Sequence, residues 1–161
     1  MAIIKQLFTR KYFWIVVLVA VPLYFLFLAR PVQMLELNFQ RWRWQQFGPA
    51  NYDASFHRLA LWYGGSPPYR ASISVRDHQL VSAYNIDREQ EMNAEMIEAD
   101  SYLQIEQLFK AIEHALERNA NSVFVWYNFR YGYPSYINLD YKRNTADDGL
   151  TIEVESFQVV P

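Results

Sequence analysis

Cysteine is absent from the 161 residues. Its absence removes disulfides, thiolate metal sites and thiol nucleophiles together. It also removes a lipid-bearing cysteine, so any membrane attachment must come from the polypeptide itself. Acidic side chains are missing before Pro31, where Lys5, Arg10, Lys11 and Arg30 supply only positive charge. From Pro31 onward 11 basic side chains face 17 acidic ones, a balance of −6. Nucleic-acid affinity rests largely on neutralising phosphates, so a nucleic-acid partner is not expected for such a domain. Also missing is a glycine-rich loop ending in Lys-Ser/Thr, which leaves nucleotide hydrolysis unsupported. Histidine occurs three times, at His57, His78 and His114, and nothing in the spacing joins any two of them.

What is present begins with an uncharged run. Tyr12 to Ala29 reads YFWIVVLVAVPLYFLFLA, and as a helix its roughly eighteen residues would reach about 27 Å, close to a hydrocarbon core. Lys11, Tyr12, Trp14 and Arg30 have the chemistry of membrane-interface residues. A cleaved signal peptide would need small residues at −1 and −3 of the cut, yet Phe27 precedes Ala29 and Leu18 precedes Ala20. The reading adopted is an uncleaved anchor, with a cleaved signal and a soluble helix as alternatives. It gives three parts: a basic cytoplasmic tail over 1–11, a transmembrane signal-anchor over 12–30, and an extracytoplasmic domain over 31–161. The excess of Lys and Arg before the run places the amino terminus inside the bacterial cytoplasmic membrane and the domain in the periplasm or outside.

Beyond the run, Gln33–Phe47 has helical spacing at Leu35, Phe39 and Trp42, with Gly48-Pro49 as its stop. Within it, Arg41 to Trp44 form a basic-aromatic cluster that suits either lipid head groups or packing against a sheet. Asn51–Trp62 is rich in β-formers, and Tyr69–Arg76 alternates so that Ala71, Ile73 and Val75 share a face. A short turn at Asp77-His78 leads to Leu80–Ile86, which predicts a hairpin. The acidic stretch Asp87–Asp100 reads as a solvated loop or loose helical turn. Ser101-x-x-Gln104 then suggests a capping box ahead of an amphipathic helix carrying Ile105, Leu108, Phe109, Ile112, Ala115 and Leu116, with Asn119 closing it. Three further strands follow, Ser122–Phe129, Ser135–Tyr141 and Leu150–Val159, the last with Ile152, Val154 and Phe157 inward. This order predicts an α+β domain: an antiparallel sheet of about six strands with helices on one face.

Several motifs match a known family. Trp44 and Phe47-Gly48-Pro49-Ala50-Asn51-Tyr52-Asp53 open the match; Val75-Arg76-Asp77, Leu80-Val81 and Ile105-Glu106-Gln107-Leu108-Phe109 continue it. Gly132-Tyr133-Pro134, Ile137, Leu139-Asp140 and Asp147-Asp148 complete it. Over about Trp44 to Phe157 the chain resembles the bacterial domain-of-unknown-function family 6174. The resemblance implies a secreted or lipid-anchored setting and carries no activity with it. Relatives have a cysteine pair near the first strand that is missing from Ser55–Trp62, Gln104 replaces a capping Thr, and Gly149 replaces an acidic residue. A metal or redox role at those positions therefore does not transfer.

No cofactor is expected. Asp140, Asp147 and Asp148 are oxygen donors of the kind calcium takes, but their intervals do not fit an EF-hand loop, and turn-forming roles suit them. Two aromatic turns remain, around Tyr63 and Tyr69 and around Tyr131, Tyr133 and Tyr136. Tyrosine in Gly/Pro-set turns offers adaptable contact area, which makes these five residues a candidate interaction surface. The function expected is a non-catalytic, membrane-anchored protein, held by lipid through residues 12–30 and binding an envelope protein. Two alternatives are kept: an immunity or inhibitor protein against a periplasmic toxic enzyme, and an envelope enzyme or small-ligand binder.

Overall fold

The computed structural model describes residues 2–60, 68–100, 102–141 and 149–161; for residues 2–13, 16, 19–20, 22–29, 60 and 99 it describes the backbone only. The chain divides into two compact units, Met1–Glu36 and Leu37–Pro161. Helix α1 covers Ala2–Phe47 and supplies nearly all of the first unit. There Trp14, Ile15, Leu18 and Val21 are exposed. Among the described residues no helix is long and apolar enough to cross a membrane. Most side chains of the expected span Tyr12–Ala29, and those of Lys11 and Tyr12, lie outside the described residues. The spanning helix is therefore a reading of the sequence.

The second unit is an α+β domain around one fully antiparallel sheet. Its strands are β1 (Tyr52–Ala60), β2 (Tyr69–Arg76), β3 (Gln79–Asn85), β4 (Gln90–Glu91), β5 (Ser122–Tyr127), β6 (Pro134–Asp140) and β7 (Leu150–Val159). Their spatial order is β4-β3-β2-β1-β7-β6-β5, so two meanders meet where β1 pairs β7. Among the described residues seven strands replace the expected six or so. The addition is β4, drawn from the acidic stretch read as loop, which also holds the short helix α2 (Ala94–Ala99). Left-handed Glu89, at φ 51°, turns the chain back, and Arg88 N–H donates to Asn85 Oδ1 at 2.9 Å. Gln90 and Glu91 can then pair with Asn85 and Tyr84.

One sheet face is covered. Tyr52, Ala54 and Phe56 of β1 align in register with Val75, Ile73 and Ala71 of β2, and all six are buried. Ile152 and Leu150 of β7 continue the face onto Ile137 and Leu139 of β6. A bulge at Glu155 sets Val154 opposite Phe56 and Phe157 opposite Ala54, which keeps both on this side despite their odd spacing. Against it pack α3 (Ile105–Glu117), through Ile105, Leu108, Phe109 and Ile112, and the end of α1, through Leu37 and Trp44. Burying a large apolar side chain contributes roughly 1.5–3 kcal/mol, so this face supplies most of the domain's stability.

The expected capping box does not start α3. Gln104 itself occupies the N-cap with no side-chain bond, and Ser101 lies outside the described residues. Tertiary contacts serve the first turn instead: the Tyr52 hydroxyl is within hydrogen-bonding reach of the Ile105 backbone, and Trp44 Nε1 donates to Glu106 Oε1 at 2.9 Å. The other end follows expectation. Asn119 is left-handed at φ 57°, and its N–H bonds Leu116 O at 3.2 Å while Ala120 N–H bonds Ala115 O at 2.9 Å, a Schellman closure.

Candidate functional surface

Among the described residues the opposite sheet face is exposed at its β5 end, though Thr151 on it is buried. In β5 exposure alternates, so Phe124 and Trp126 point away from α3 while Val123, Val125 and Tyr127 point toward the covered side. Register then lays out a row across five strands: Trp126 faces Tyr136, Tyr136 faces Glu153, Glu153 faces His57, and His57 faces Arg70. The neighbouring row runs Phe124, Asn138, Thr151, Leu59.

Three rings form a patch at the β5–β6 end. Phe124 meets Trp126 edge-on at 5.5 Å and Tyr136 edge-on at 6.1 Å, while Trp126 and Tyr136 lie 5.5 Å apart with their planes tilted by 45°. Trp126 is 61% exposed and Phe124 47%. Edge-to-face contacts hold the rings in a fixed arrangement, so the patch is pre-organised as well as apolar. Around it the face is polar. Asn138 Nδ2 donates to Thr151 Oγ1 at 2.8 Å, and the Ser55 and Ser156 hydroxyls share a 2.7 Å bond. Glu155 Oε1 lies 3.5 Å from His57 Nδ1.

Further along, Asp87 receives three bonds from Arg70: from the backbone N–H at 2.6 Å, Nε at 3.0 Å and Nη2 at 2.8 Å. These bonds hold the Asp87 carboxyl below its ordinary range. Arg76 does the same to Asp53 through a 2.9 Å bond. Both acids are solvent-facing, so each pair is worth little to stability.

The five tyrosines expected as an interaction surface separate. Tyr136 belongs to the open-face patch. Tyr133 does not: at 5% exposure it stacks on Phe157 at 4.5 Å and meets Trp44 at 5.9 Å, inside the core. The cause is the β5–β6 turn. Asn128 Oδ1 accepts from the Arg130 and Tyr131 N–H groups, and Asn128 N–H reaches Tyr133 O at 2.7 Å, which folds the turn inward. Tyr131 is half-buried beside Phe157, with the Arg130 guanidinium 5.1 Å over its ring. Tyr69 is half-buried at the start of β2, opposite Arg58. Tyr63 lies outside the described residues. Of the interface residues expected for the membrane, Trp14 and Arg30 are exposed.

The basic-aromatic cluster of α1 also splits. Trp44 enters the core at 5% exposure, Trp42 stays exposed against Phe39 and Phe47, and Arg43 donates to the Phe129 and Arg130 carbonyls. Arg41 makes a two-pronged pair with Glu113, at 3.1 and 2.9 Å, across a cleft of about 490 Å³ between the end of α1 and α3. Its two acids are both engaged, Glu113 by Arg41 and Glu106 by the Trp44 indole N–H. His78 and Lys110 complete its rim. The three histidines stay apart in the fold, on β1, the β2–β3 turn and α3. Among the described residues no three metal-ligating side chains gather; Asp147 and Asp148 lie outside them.

With this geometry in view, the chain matches the model of a family of unknown function, DUF6174, over residues 36–159. The chain belongs to that family. The match covers the whole sheet and α3. No curated protein and no solved structure matches the chain.

Phe124 and Trp126 lie outside the Gly- and Pro-set aromatic turns that marked a contact surface in the sequence. The signal was available in Ser122–Tyr127, where large apolar residues occupy both faces of a strand. A strand covered on one side needs such residues on one face only.

Proposed function

We propose that this protein is a single-pass, membrane-anchored, non-catalytic binding protein whose extracytoplasmic domain docks another protein on its open sheet face. The observation that carries the reading is the Phe124–Trp126–Tyr136 patch. Phe124 and Trp126 exposed together, beside Tyr136 on a face that also carries Ser, Asn, Glu, His and Arg, cost solubility and contribute little to folding. Rigid aromatic anchors surrounded by polar residues are what protein interfaces use at their centres. The anchor part rests on the uncharged run Tyr12–Ala29, and the orientation on Lys5, Arg10 and Lys11 before it.

Two measurements test this. A reporter fused after Pro161 that works only outside the cytoplasm should be active, and the chain should resist alkaline extraction from membranes. A photo-reactive residue at Ser122, exposed on the patch side of β5, should give one reproducible protein adduct in native membranes. A cytosolic reporter overturns the topology, and failure to form an adduct overturns the docking face.

A further inference from the structure

The open-face row supplies a clue to the occupant's chemistry. Its basic side chains already stand beside acids of this chain. His57 has Glu155 at 3.5 Å, and the Arg70 guanidinium is held by Asp87 at 2.8 Å. Glu153 differs. It is exposed, it stands between Tyr136 and His57 in the register, and among the described residues no ion pair engages it. One carboxylate with no ion pair among the described residues therefore sits beside two exposed rings, Phe124 and Trp126, and the half-buried Tyr136 ring. Aromatic faces are electron-rich, and an Arg or Lys cation laid over them is attracted by the ring quadrupole, most strongly at Trp. A carboxylate at the rim of such a platform adds a charge-assisted hydrogen bond. The balance of −6 from Pro31 onward adds attraction at longer range, which speeds encounter with a positively charged surface.

We propose that the occupant of this face is a basic segment of a partner protein, with one arginine or lysine side chain across the Phe124, Trp126 and Tyr136 rings and Glu153 as its counter-ion. The proposal rests on the docking reading above and adds the partner's chemistry. Anionic lipid head groups are repelled by Glu153, and a neutral glycan would use the rings while leaving that carboxylate unmatched.

The test has two arms. Fluorescein-labelled hexa-arginine is titrated into the detergent-solubilised full chain and followed by anisotropy, with hexa-glutamate as the opposite-charge probe. Trp126→Ser and Glu153→Gln should each weaken hexa-arginine binding by about tenfold, the size of a partly desolvated cation–π or charge contact. Glu117→Gln, an exposed acid on α3, should leave it unchanged. In the second arm the Ser122 photo-adduct from native membranes is mapped to its partner peptide, which should carry Arg or Lys at the linked site. Absence of hexa-arginine binding, or equal loss in Glu153→Gln and Glu117→Gln, overturns the cation site. An adduct on an acidic or neutral peptide overturns it too, while leaving the docking face standing. A lipid or glycan adduct, or none, removes both.

Discussion

Two aromatic clusters in this domain use the same residue types and have opposite fates. Trp44, Tyr52, Tyr133 and Phe157 pack with ring centroids 4.5–6.0 Å apart under the end of α1. Phe124, Trp126 and Tyr136 are spaced much the same, 5.5–6.1 Å, yet Phe124 and Trp126 stay open to solvent and Tyr136 is only half-buried. Spacing and composition therefore do not separate a core from a contact surface. What separates them is whether a second element covers the rings and satisfies their polar ends. In the first cluster Glu106 takes the Trp44 indole N–H, and the Ile105 backbone meets the Tyr52 hydroxyl. In the second, the polar neighbours bond one another, and the Phe124 and Trp126 rings stay exposed.

The comparison breaks most severely at Trp44. Trp44→Ala empties the space shared by three rings and strands Glu106, and should cost about 3–5 kcal/mol in a urea melt of the detergent-solubilised chain. A loss below about 1 kcal/mol would mean this cluster is not the domain's keystone. Next comes Gly132→Ala. Gly132 is at φ +84°, and a Cβ would lie 2.8 Å from Gln40 O and 2.9 Å from Arg43 Cβ. Left-handed strain and overpacking together should cost about 1–3 kcal/mol and loosen the turn that carries Tyr133 inward. Tyr52→Phe keeps the ring and removes the hydroxyl near the α3 N-terminus, which should cost about 1 kcal/mol.

On the open side the pattern inverts. Trp126→Ser should change stability by no more than about 0.5 kcal/mol, as for other surface substitutions, while abolishing most of the adduct formed from Ser122. The smallest effect is in acid. Asp87 and Asp53 titrate below their ordinary value, chiefly through side-chain bonds from Arg70 and Arg76. Their contribution is present above the ordinary carboxylate pKa and is lost as pH falls through the lowered one. Between about pH 4 and 2, Asp87→Asn should therefore flatten the decline in melting temperature slightly, and a steeper decline would contradict the pairing.

Much of the fold was legible from local pattern. Alternation gave β2 at its full span, and Asn119 closed α3, because a left-handed residue after an amphipathic run is a local requirement. The start of α3 was not legible. Its first turn is served by Tyr52 and Trp44, more than fifty residues earlier in sequence, so the local Ser101–Gln104 pattern pointed to a cap that Gln104 does not make. Strand β4 was hidden for a similar reason, since two exposed polar residues carry no period and pair only because Glu89 reverses the chain.

By itself the sequence determined the uncharged run, the charge asymmetry around it, and an α+β domain with an antiparallel sheet, because each follows from residue order over short distances. Only the tertiary structure decided which tyrosines are core and which are surface. That choice depends on which face of the sheet α3 and the end of α1 cover, and covering is a relation between segments far apart in the chain. The row from Trp126 through Glu153 to Arg70 exists for the same reason: register across five strands brings together residues that no spacing in the chain connects.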